Sequence, residues 1–126
     1  MNREKEQIEG LLKALSGYLE GTDFFEVLYS PRRGYSVFRW DAQEDNYYGV
    51  MAIRRAEDLA VFVYKELMAR IALEAGSDHT LDESNFDEME LAEARAATEK
   101  YLRILPEDIR DTLLKKQDPE TGLLML

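Results

Sequence analysis

The chain contains no cysteine, one histidine and only three prolines in 126 residues. Without cysteine there are no disulfides, no thiolate metal sites and no cysteine nucleophile, which agrees with a reducing compartment. The single histidine, His79, confines any histidine–carboxylate or histidine–nucleophile pair to one loop, where Ser77, Asp78 and Asp82 lie near it. A lone loop histidine reads as polar surface, and neither a G-x-S-x-G elbow nor a P-loop is present. No apolar run approaches the roughly 18 residues that cross a membrane. The N-terminus, MNREKEQIEG, is charged and lacks the apolar core of a signal peptide. Cytoplasmic residence, no membrane partner and no cofactor are therefore the expectations. Basic charge is also scarce: 16 Lys and Arg stand against 26 Asp and Glu, a net −10. Such a surface repels phosphate backbones, which argues against nucleic acid, and attracts a basic protein. It also simply keeps a small protein soluble.

Hydrophobic residues make up 45% and charged residues 33%, the balance of a packed core under a well-solvated surface. The length fits a single domain over 1–126 that buries roughly two-thirds of its unfolded surface. Residues 4–19 predict an amphipathic helix, with Ile8, Leu11, Leu12, Leu15 and Leu19 at helical spacing and Gly21 as its stop. Three strands follow at 24–29, 35–40 and 47–53. The turn Ser30-Pro31-Arg32-Arg33-Gly34 joins the first two, and the polar loop 41–46 joins the next. Gly49 marks a bulge or a close backbone approach in the third strand. Residues 54–75 predict a long helix ending before Gly76, apolar over an arc too broad for one sheet to cover. Two more helices, 86–105 and 106–116, flank Pro106, which the pattern places at a first helical position. The expected class is α+β: a three-stranded antiparallel meander in the order α-β-β-β-α-α-α.

The charged side chains are the candidate ligands. Residues 76–100 carry eight acidic side chains against Arg95 and Lys100, a net −6. Asp78, Thr80, Asp82 and Ser84 alternate like calcium ligands, but the sixth position is Glu83 and the twelfth Met89, where a calcium loop needs Gly and Glu. This stretch reads instead as a helix-capping region, with Thr80 and Glu83, or Ser84, at the start. Without histidine nearby, the carboxylates of 82–93 read as a solvated acidic flank and not as a metal site. Arg32-Arg33 and Arg54-Arg55 are two small basic pairs, too few for a nucleic-acid patch on this background.

The aromatics gather in the strands: Phe24, Phe25, Tyr29, Tyr35, Phe38, Trp40, Tyr47 and Tyr48. Alternation allows about half of them to reach a core on one side. Either they all serve the core, or Tyr and Trp populate an open face and form a binding surface, since such residues dominate interface hot spots. Neither strand face is purely polar, so spacing leaves open which side is wet.

The block GYSVFRWDAQEDNYYGVMAIRRAEDLAVFVYKELM, about a third of the chain, resembles that of small acidic immunity proteins from bacterial polymorphic-toxin systems. The resemblance implies a cytoplasmic, non-enzymatic chain that neutralises a cognate toxin by covering its surface. On that reading Asp82, Glu83, Asp87, Glu88, Glu90 and Glu93, with Trp40 and Tyr47, bind a basic toxin or effector. The alternative is a dimeric acidic chaperone or adaptor for a secreted effector, so both monomer and homodimer remain open.

Overall fold

The computed structural model describes residues 2–20, 24–74 and 86–126. The elements are α1 (Asn2–Ala14), α2 (Ser16–Leu19), β1 (Glu26–Ser30), β2 (Gly34–Asp41), β3 (Asn46–Ala52), α3 (Ala56–Glu74), α4 (Glu88–Ile104) and α5 (Glu107–Leu114). This is the α+β class and the element order read from sequence, with the N-terminal helix in two pieces. His79, Thr80, Asp82, Glu83, Ser84, Gly21 and Gly76 lie outside the described residues. The chain divides into two compact units, Met1–Leu59 and Ala60–Leu126, and the division falls within α3.

In the first unit, Ile8, Leu11 and Leu15 are buried at successive helical turns, as their spacing requires. The helix expected over 4–19 is interrupted at Leu15, which has φ −92° and ψ 8°. Its carbonyl accepts from Tyr18 at 2.8 Å and from Leu19 at 3.1 Å, a tightened turn at two weak helix formers, Ser16 and Gly17.

The sheet is antiparallel in the order β1-β2-β3. Val27 pairs with Val37 and Tyr29 with Tyr35, so these four share one face. α1 lies over that face. The Lys5 ammonium sits 4.8 Å from the Tyr29 ring centroid, and Val37 is fully buried. The ladder begins at Glu26 and not at Phe24, although Phe25 is buried ahead of it. Val37 opposes Met51 while Phe38 opposes Gly49, which leaves Val50 as the extra residue of a bulge beside Gly49.

The β1–β2 turn depends on Gly34, at φ 80°. A side chain there would meet nothing within 4 Å, so the constraint is purely one of backbone conformation. Gly34→Ala is expected to lower the unfolding free energy by about 1–2 kcal/mol. Gly10 lies in a regular part of α1, also with open space around it. Gly10→Ala should therefore raise stability by about 1 kcal/mol. Urea unfolding of the two variants should move the midpoint in opposite directions.

In the second unit, Ala60, Val63, Tyr64, Met68, Ile71 and Ala72 form the buried arc of α3. Ala94, Thr98, Tyr101 and Leu102 form that of α4. Asp87 is the α4 N-cap, its carboxylate accepting from the Glu90 amide at 2.8 Å. Pro106 is a cap and not a first helical residue, because its ψ of 147° is extended; α5 starts at Glu107. Leu123 and Leu124 of the terminal LLML are buried, tied by a bridge from Leu124 to Gln117, whereas Met125 is 64% exposed.

Candidate functional site

The sheet face opposite Val37 has a distinct character. Strand pairing sets Glu26 beside Phe38 and Trp40 beside Tyr47 on this face, with Leu28 beside Ser36. Trp40 is 47% exposed, Tyr47 41% and Leu28 40%. Exposure of large apolar side chains in one contiguous patch marks an interaction surface more than scattered exposure does.

The patch is internally organised. The Tyr47 ring packs edge-on against Trp40 with centroids 5.0 Å apart, and against Phe38 at 6.3 Å. Its hydroxyl reaches over β2 and donates to the Glu26 carboxylate at 2.5 Å. That bond pushes the Tyr47 hydroxyl above its ordinary value of 10.0, because ionisation would replace a charge-assisted hydrogen bond with repulsion between two anions. A raised folded value means that the contact is intact below pH 10.0 and is lost as the pH rises through the folded value. Glu26→Ala should let Tyr47 ionise at lower pH, read as the tyrosinate absorbance difference between this variant and the same variant carrying Tyr47→Phe.

Acidic groups rim the Trp40 end. Asp41 accepts from the amides of Gln43 at 3.0 Å and Glu44 at 3.3 Å, which closes the β2–β3 loop and leaves Glu44 and Asp45 exposed. Asp45 takes the left-handed conformation at φ 51°, which Asp tolerates better than most residues. The patch therefore offers aromatic faces and carboxylates together, the combination that recognises Lys and Arg.

Of the acidic residues expected to bind a partner, Asp82 and Glu83 lie outside the described residues. Glu88 and Glu93 are exposed on α4, and Asp87 is exposed while engaged as its cap. Glu90 is a correction: it is 9% exposed. Helical spacing places it four residues before Ala94 and eight before Thr98, on the inward stripe, so its carboxylate is withdrawn from the surface. Trp40 and Tyr47 belong to the first unit and the α4 acids to the second. Glu26 and Leu28 were not legible in the sequence, where only a known register could have joined Glu26 to Tyr47 across two strands.

Among the described residues, no group of three His, Asp or Glu could hold a metal ion, and no helix is long and apolar enough to cross a membrane. No family model, curated protein or solved structure matches this chain.

Proposed function

We propose that this chain is a non-enzymatic protein-binding module of the immunity or antitoxin kind, which neutralises a basic toxin or effector by masking its surface. The observation that carries this reading is the open sheet face, where Trp40, Tyr47, Phe38 and Leu28 share a face with Glu26, whose carboxylate Tyr47 contacts, on a chain of net charge −10. Aromatic side chains in a surface patch supply affinity on desolvation, and the acidic rim supplies orientation and encounter rate. Lys and Arg of a partner would stack on Trp40 and Tyr47 and pair with Glu26, Glu44 and Asp45.

The experiment titrates the purified chain with a purified basic toxin domain encoded beside it and follows association by stopped flow at several salt concentrations. The expected result is a tight one-to-one complex whose association rate falls steeply with salt. Glu26→Lys with Glu44→Lys should slow association, with dissociation changed less. An association rate indifferent to both salt and these reversals would overturn the reading. Light scattering addresses the second reading. A stable dimer at micromolar concentration that holds an extended client segment would instead identify a chaperone or adaptor.

A further inference from the structure

The far end of the same sheet carries the opposite charge. Where β1 turns into β2 and β3 leaves toward α3, a cleft of about 710 Å³ is lined by Arg32, Arg33, Arg54, Ser36 and Glu4 among others. Three segments build it: α1 supplies Glu4, the β1–β2 turn with the start of β2 supplies Arg32, Arg33 and Ser36, and the exit of β3 supplies Arg54. The Ser30 hydroxyl accepts from the Arg32 and Arg33 amides at 3.3 and 3.4 Å, and Gly34 completes the turn, so both arginines are held at its tip. Arg54 follows Ile53, whose amide donates to the Tyr35 carbonyl at 2.9 Å and ties the exit of β3 to β2.

Among the described residues, Arg32, Arg33 and Arg54 make no ion pair. Their neighbour Arg55 contacts Glu57 at 3.9 Å and Asp58 at 3.4 Å. A chain with ten more acidic than basic side chains thus places three arginines on the lining of one cleft. The positive charge of that lining favours an anion. The guanidinium fork matches phosphate and carboxylate oxygens bidentately, which a lysine ammonium cannot do.

We infer that this cleft binds a small polyanion of the phosphate or carboxylate class through Arg32, Arg33 and Arg54, with the Ser36 hydroxyl as an additional donor. Three arginines favour a multivalent anion over a monovalent one, and Glu4 on the wall offsets part of that gain. This site lies beyond the partner-binding patch, takes ligands of opposite sign, and stands or falls separately from it.

Isothermal titration with sodium pyrophosphate and, in parallel, with citrate at low ionic strength tests the site on the full chain. The expected result is saturable one-to-one binding of at least one anion, about tenfold weaker in Arg33→Ala and in Arg54→Ala. Binding should be tighter in Glu4→Gln and unchanged in Arg103→Ala. Pyrophosphate alone identifies a phosphate ligand, citrate alone a carboxylate ligand, and either supports the site. No saturable binding of either anion, or equal binding by the Arg33→Ala/Arg54→Ala double variant, overturns it. All three arginines are exposed, so circular dichroism is expected to report an intact fold in each variant.

Discussion

Tyr64→Ala is expected to lower the unfolding free energy by about 3–5 kcal/mol, the range for emptying the site of a fully buried aromatic ring. Tyr64→Phe separates the polar share of that loss. The Tyr64 hydroxyl sits in a directed chain of buried hydrogen bonds. Thr98 Oγ1 donates to the Ala94 carbonyl at 2.8 Å, so its bond with Tyr64 at 2.9 Å must have Tyr64 as donor. The Leu124 amide then donates to the Tyr64 oxygen at 3.0 Å. Removing the hydroxyl leaves the Leu124 N–H buried without that acceptor, for a cost of about 1–3 kcal/mol.

Tyr101→Phe is the informative contrast. Tyr101 is equally buried and donates to the Ala60 carbonyl at 2.6 Å. That carbonyl lies within α3 and keeps its helical partner when the tyrosine hydroxyl is gone. A loss of only about 1 kcal/mol is expected. Urea unfolding of the three variants checks the order Tyr64→Ala, Tyr64→Phe, Tyr101→Phe. A cycle of Tyr64→Phe with Thr98→Val should show a coupling of about 0.5–3 kcal/mol, since the two share one bond. Equal losses for the two Tyr→Phe changes would mean that the terminal Leu124 is not held by Tyr64.

Trp40→Ala is expected to weaken binding of the proposed basic partner by about 2–4 kcal/mol, roughly 30- to 1000-fold. Trp40 is the largest side chain on the open face and packs against Tyr47, so truncation removes both its own contact area and the support for the neighbouring ring. Because nearly half of Trp40 is already in solvent, the free protein should unfold at nearly the same urea concentration as before. Val37→Ala is the matched control: it lies on the covered face of the same strand and should reduce stability without a specific effect on association. If Trp40→Ala binds like the parent chain, the partner does not use this face.

The chain's local grammar carried the elements. Leucines at helical spacing in α1, the glycine-closed turn after Ser30 and the terminating Pro106 each express a short-range rule: periodicity, a left-handed backbone, a missing amide. Those rules extend over a few residues, and element order followed from them. Boundaries shifted at Leu15, ahead of the weak helix formers Ser16 and Gly17, and at Pro106, whose ψ is extended.

What tertiary structure alone decided is which side of each element meets solvent. Alternation in β2 serves both faces equally; the fold buries Val37 on one face and leaves Trp40 and Tyr47 exposed on the other, while Tyr29 and Tyr48 stay exposed at the margins of the Val37 face. Glu90 shares its helical turn with exposed acids, yet its angular position turns it inward. Glu26 meets Tyr47 across two strand boundaries, and Arg54 joins Arg32 and Arg33 in one cleft from across the sheet. Such juxtapositions depend on register and packing between residues some twenty positions apart, which no local spacing encodes.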